Sequence, residues 1–193
     1  MYKYIKFFKE ISLGDVPKVG GKNASLGEMY QNLAPKGINL PNGFAITAAS
    51  YFYFLDQAGI RDGITKILEG LDVKNVRDLK KRGDNIRTMI MKAKLPNDLV
   101  EEIKHGYIDL SKEEGKKNLV VAVRSSATAE DLPNASFAGQ QETYLNISGE
   151  KNVLYATRQC IASLFTDRAI VYRVENKFAK RVCNYSCKLF LFS

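Results

Sequence analysis

The stretch "AVRSSATAEDLPNASFAGQQETYLN", residues 122–146, decides how this chain is read. A valine-rich apolar run, "NLVVAV" at 118–123, leads into it and predicts a short buried strand. Arg124 stands where that apolar run ends. Behind it come Ser125, Ser126 and Thr128, a Pro-Asn turn, and Gly139 beside two glutamines. Cores are not built from such a run, whereas surfaces that grip a ligand are. The planar fork of Arg124 suits phosphate oxygens, at about 1.5–3 kcal/mol for each charged hydrogen bond. Open α/β sheets display ligand-binding groups at strand ends, which is where this reading puts it. The small hydroxyl residues leave room, Gly139 permits close backbone approach, and Thr143 adds a donor on the following strand. These residues fit a loop closing over a polyphosphate. They fit equally a polar hairpin in which Glu130 and Asp131 neutralise Arg124, and spacing alone does not separate the two.

A second stretch, "VGGKNASLGEM" at 19–29, carries a related signal. Gly20 and Gly21 allow close backbone approach, and Lys22 falls at the start of a helical pattern. Helix first turns attract anions and disfavour a lysine, so a lysine placed there makes sense if lysine and amides share a phosphate. It is not a Walker loop, because Val16 and Asn23 occupy the positions that need Gly and Ser/Thr. A Gly-Gly turn with an Asn or Ser cap and a solvated lysine accounts for the same residues.

Around these stretches the periodicity alternates between strand and helix. The opening apolar residues through Leu13 predict a short strand. Leu26, Met29, Tyr30 and Leu33 form an i, i+3, i+4, i+7 stripe, the packed face of a helix ended by Pro35 and Gly37. "LPNGFAIT" predicts a turn and a strand, and 48–58 another helix ended by Gly59. From about 60 to 115 the chain is charged and helical. Ile64, Ile67, Leu68 and Leu71 mark one helix. Val76, Leu79, Ile86 and Ile90 mark a second, with Gly83 a weak point. Leu99, Ile103, Tyr107 and Leu110 mark a third, opened by Pro96. This is read as a helical insert between two parts of a sheet. Alternation of Thr143, Leu145 and Ile147 with Tyr144, Asn146 and Ser148 predicts a strand, and two helical stretches follow it.

Composition excludes several classes. A chain of 193 residues, 45% hydrophobic, buries roughly 70% of its unfolded surface and needs no disulfides to hold a core. The formal charge is +8, but Lys177, Lys180, Arg181 and Lys188 follow Glu175 with no acid among them, so half the excess sits in the last 18 residues. The rest is interleaved with acids and shows no DNA- or RNA-binding signature, which argues against a nucleic-acid partner. A basic binding module without catalysis is the rival reading. The charged, short "MYKYIKFFKEISLG" start matches neither a signal peptide nor a membrane span. Three cysteines make no disulfide framework, and a reducing cytoplasm is expected. Cys183 and Cys187 have no histidine near them, which argues against zinc. His105, the single histidine, lies on a charged helix and supports no Ser/His/Asp set.

"VGGKNASLGEM" and "AVRSSATAEDLPNASFAGQQETYLN", with "ASLFTDRAIVYR" at 162–173, together resemble the N-terminal nucleotide-binding part of the phosphoenolpyruvate synthase (pyruvate, water dikinase) family. The resemblance runs from about residue 8 to 173 and is weakest through the helical stretch. It implies an α+β fold, the N-terminal lobe of an ATP-grasp-type nucleotide-binding domain with a helical insert at about 60–115. It implies ATP and Mg2+ as cofactors, and pyruvate as the acceptor in the full-length enzyme, phosphorylated through a phosphohistidine. By motif, Lys22 and Arg124 would contact ATP phosphates, while Gly139 and Thr143 would belong to the closing loop. Rifampicin phosphotransferases share the signature and are the alternative. Pyruvate phosphate dikinase usually has a Met-Pro-Gly-Met-type loop where this chain has "SFAGQQET", and ranks third.

The chain leaves the family pattern after Tyr172-Arg173. A nucleotide-contacting glutamine, the carboxylate metal ligands, the phosphohistidine and the pyruvate-binding barrel are not found in it. The sequence is therefore expected to hold a partial ATP-binding domain at 1–175 and a divergent tail at 176–193, read as out-of-frame coding or a truncated gene. No catalytic or metal-binding residue is assigned within the chain, no turnover is expected of it in isolation, and no oligomeric state is assigned.

Overall fold

The structure, a computed structural model, describes residues 2–127, 142–175 and 187–192. Strand β1 (Ile5–Phe7) opens the chain. It is shorter than the apolar run to Leu13 predicts, because carboxylates divert the backbone. Glu10 accepts from the Phe7 amide at 3.0 Å and Asp15 from the Ser12 amide at 3.2 Å, and 3-10 turns form at Phe8–Glu10 and Leu13–Asp15. Helix α1 (Val16–Val19) ends at Gly20 and α2 (Gly21–Leu33) begins at once. Strand β2 (Gly43–Ile46) follows, then α3 (Ala48–Gln57), which stops before Gly59 in the left-handed region at φ 64. Helices α4 (Arg61–Leu68), α5 (Val76–Lys92) and α6 (Asn97–Glu113) occupy the charged stretch. Strands β3 (Val121–Ala127) and β4 (Thr143–Ile147) come next, followed by α7 (Glu150–Ser163), α8 (Asp167–Glu175) and strand β5 (Cys187–Phe192).

The fold is α+β. The five strands among the described residues join one antiparallel sheet in the order β1-β2-β5-β3-β4. The last strand in sequence therefore lies at the centre, between β2 and β3, inside the span where a divergent tail was expected. Alternation along the strands sends side chains to two faces. Ile5, Phe7, Phe44, Ile46, Val121 and Val123 join the main core with residues of α3 through α8. Ala45 points the other way, into a smaller cluster with Phe8, Ile11, Val19 and Ala24.

Side-chain bonds brace the main core. The buried Tyr107 hydroxyl of α6 donates to the Leu119 carbonyl at 2.7 Å and accepts from the Gly149 amide at 2.8 Å, tying α6 to the starts of β3 and α7. Arg82 donates to the Ile67 and Glu69 carbonyls at the end of α4, supplying partners that a helix terminus lacks. Arg158 does the same for Met91 and Ala93 at the end of α5.

Three expectations about packing need revision for stated reasons. The fully buried residues of α2 are Asn23, Ala24 and Gly27; of the apolar stripe, Leu26 and Tyr30 pack partly buried against the smaller cluster, whereas Met29 is 40% exposed. Close approach to the 3-10 turns selects small residues over large ones. Gly83 is no weak point in α5, since it is buried where a Cβ would lie 3.0 Å from Asp167 Oδ1 and 3.1 Å from the Phe165 carbonyl. In β4 the inward residues are Tyr144 and Ile147, and Leu145 is 64% exposed. A bulge sets this pattern: Val121 pairs Ile147 but Val123 pairs Tyr144, with Asn146 absorbing the extra residue at φ 57.

Candidate functional site

The strand register places the predicted residues. Lys6, Ala45, Phe190, Arg124 and Thr143 form a single cross-strand row through β1, β2, β5, β3 and β4. In-register neighbours share a face of a sheet. Arg124 and Thr143 are thus direct partners on the face that carries Ala45, opposite the main core. Arg124 is half-buried and Thr143 exposed. Arg124 lies within β3, which continues to Ala127, so it is not at a strand end. The parallel-sheet rule does not place it. Register does.

Helix α2, whose first turn holds Lys22, lies on the same face by another route. Helix α2 docks there because Ala24 packs with Ala45. Ala45 and Arg124 are two strands apart, about 10 Å at ordinary strand spacing. Gly20 takes φ 86 and ψ 158, a conformation that suits only glycine, and lets α2 start directly behind α1. The Gly20 carbonyl already receives the Ala24 amide at 2.9 Å, so the amides of Gly21, Lys22 and Asn23 form the first turn, the positive end of a 13-residue helix. The structure therefore puts Arg124 and Thr143 side by side on one face of the sheet and docks α2, whose first turn carries Lys22, on that same face; Lys22 stands about 200° of helix turn from the buried Ala24. Gly139, with Glu130 and Asp131 of the competing hairpin reading, lies outside the described residues.

Asp15 is a feature that the sequence reading passed over. Its carboxylate, 10% exposed, accepts from Lys6 Nζ at 2.8 Å, Lys18 Nζ at 3.2 Å and the Ser12 amide at 3.2 Å. Burial alone would raise its pKa, but the Lys6, Ser12 and Lys18 hydrogen bonds outweigh burial and hold it at about 2. The Ser12-x-x-Asp15 spacing was the available signal, since it matches a turn-capping pattern. A pKa held below the unfolded value of 3.8 stabilises the fold above about pH 4, and that share is lost as pH falls through about 2. The share is about 2 kcal/mol. Urea midpoints compared between pH 5 and pH 2 should converge for wild type and Asp15→Asn. An equal gap at both pH values would contradict this.

Among the described residues, no group of three or more His, Cys, Asp or Glu side chains is arranged to hold a metal ion. Among the same residues no helix is long and apolar enough to cross a membrane.

The sequence matches the family described as "Pyruvate phosphate dikinase, AMP/ATP-binding domain" over residues 16–188. It is 55% identical over 169 residues to a phosphoenolpyruvate synthase of Aquifex aeolicus, covering 88% of this chain and 20% of that protein. To the phosphoenolpyruvate synthase of Helicobacter pylori it is 52% identical, covering 91% of this chain and 22% of the relative. The corresponding figures for the Escherichia coli enzyme are 46%, 92% and 22%. The chain spans about a fifth of the length of these relatives.

Proposed function

Because this chain belongs to the family of AMP/ATP-binding domains of pyruvate phosphate dikinase, we propose that the face carrying Lys22, Arg124 and Thr143 holds the phosphates of ATP. The observation that carries this reading is the shared face: a cationic fork and its neighbouring hydroxyl stand on the side of the sheet where α2, whose first turn holds Lys22, docks. Few neutral ligands need that set, and a polyphosphate uses each member. Gly139 belongs in this proposal to the loop that closes on the nucleotide. The arrangement would be the first lobe of an ATP-grasp-type domain. The division into a partial nucleotide-binding domain at 1–175 and a tail at 176–193 is kept as part of the proposal, with the last strand of the tail paired into the sheet.

The relatives named phosphoenolpyruvate synthase support a parent activity in which ATP phosphorylates pyruvate by way of a histidine, releasing AMP and phosphate. Magnesium would ride on the triphosphate and take its protein ligands from outside the described residues. What the present residues do is bind and orient: Arg124 and Lys22 neutralise phosphate charge, and the first-turn amides fix its place. The test is a binding titration of the chain with ATP, AMP and adenosine, with pyruvate added in a parallel assay for AMP. Affinity should rise with phosphate number, and AMP should not accumulate. Equal affinity for ATP and adenosine would defeat the phosphate reading, and pyruvate-dependent AMP release would defeat the expectation of a binding part without turnover.

A further inference from the structure

Asp15 touches no residue assigned to the nucleotide, yet it sits at the root of the segment that presents Lys22. Its Oδ2 accepts from Lys6 of β1 and from the Ser12 amide, and its Oδ1 accepts from Lys18 of α1. Only the four residues of α1, about 6 Å of helix, separate this carboxylate from Gly20. That short helix has little slack. Val19 is fully buried, the Gly20 amide donates to the Val16 carbonyl at 2.8 Å, and the Gly20 carbonyl accepts from Ala24 at 2.9 Å. A displacement of α1 is therefore handed to Gly21 and Lys22. The other end of the clamp is equally firm, because Lys6 is the β1 member of the row that contains Ala45 and Arg124.

We infer that Asp15 is a positioning residue for the phosphate end of the site: by holding Lys6 of the sheet and Lys18 of α1 on one carboxylate, it sets where the Gly20-Gly21-Lys22 turn lies relative to Arg124. This rests on the phosphate reading above. Asp15 acts through α1 and does not meet the ligand. Lys6 is three strands from Arg124, about 14 Å, so it too acts at a distance.

A purely structural Asp15 would weaken binding of adenosine and ATP alike, or change stability alone. A positioning Asp15 weakens only what the phosphates contribute. Dissociation constants for adenosine, AMP and ATP are measured on wild type, Asp15→Asn and Lys6→Met. Asp15→Asn keeps shape and removes charge; Lys6→Met releases the sheet end of the clamp while leaving the Asp15 contacts to Ser12 and Lys18. The expected result is a rise in the ATP constant of roughly tenfold, the lower end of the cost of a lost supporting contact, with adenosine unchanged. Should Asp15→Asn fail to fold, Lys6→Met carries the test alone. Equal changes for adenosine and ATP, or none for either, would overturn the inference. Wild-type protein that gains nothing from the phosphates would remove the phosphate reading, a result distinguishable from failure of Asp15 itself.

Discussion

Arg124→Ala is expected to weaken ATP binding by about 10- to 100-fold, while adenosine binding and the melting temperature stay near wild type. The range follows from losing one charge-assisted hydrogen bond at about 1.5–3 kcal/mol, where each 1.4 kcal/mol is tenfold. Stability should survive because Arg124 projects from the face opposite the main core, which β3 enters through Val121 and Val123. Arg124→Lys separates charge from shape. It keeps the cation and loses the planar fork, so it should recover only part of the lost affinity. Thr143→Val, directly across from Arg124, should cost a few-fold at most, as a neutral hydroxyl is worth about 1 kcal/mol. Calorimetric titration of the three variants checks the series. Arg124→Ala binding ATP as tightly as wild type would remove Arg124 from the site.

Gly27→Ala should destabilise the protein by about 3 kcal/mol, although alanine is the better helix former by about 1 kcal/mol. A Cβ at Gly27 would lie 2.5 Å from the Ile11 carbonyl, 2.7 Å from Ile11 Cβ and 2.9 Å from Ile11 Cγ2. One of these atoms is backbone and the residue is wholly buried, so neither partner can yield without moving α2 or the 3-10 turns. Gln31 holds the same contact from beside it, donating to the Ile11 carbonyl at 2.5 Å. Gly63→Ala is the control. There a Cβ would meet the flexible tip of Met89 at 3.4 Å, so propensity prevails and the variant should be neutral or slightly stabilised. Urea unfolding of both variants gives the comparison. Two variants of equal stability would mean that α2 is not held by close approach. A displaced α2 should also reduce ATP affinity through Lys22, whereas Gly63→Ala should leave it unchanged.

Much of the element order follows from local pattern. The spacing of Leu99, Ile103, Tyr107 and Leu110 predicts α6, and all four side chains are buried in it. The apolar run to Val123 predicts β3, and Gly59 marks the end of α3. These are near-neighbour effects, in which the residues that decide a turn or face lie within a few positions of it. The errors occur where a distant partner sets the outcome. In α2 the fully buried positions are Ala24 and Gly27, where Ala45 and Ile11 approach closely, so Leu26 and Tyr30 of the apolar stripe are only partly buried and Met29 is exposed. The alternation in β4 lost to a bulge created by pairing with β3.

The candidate site divides in the same way. Which residue types suit a phosphate was legible in the sequence, because a guanidinium, an ammonium after two glycines and a hydroxyl carry their chemistry wherever they stand. Their convergence was not. Lys22 and Arg124 are separated by a hundred residues, and only the insertion of β5 between β2 and β3 sets the row that joins Ala45 to Arg124 and Thr143. Asp15 carried no signal for an ion pair in the sequence, because its partner Lys6 reaches its carboxylate only through β1. Sequence by itself determined most of the helices, their end signals and the chemical character of the candidate ligand groups, since these depend on local sterics and on functional groups. Tertiary structure alone decided which face they share and what holds them there, because strand register and burial arise between segments that are strangers along the chain.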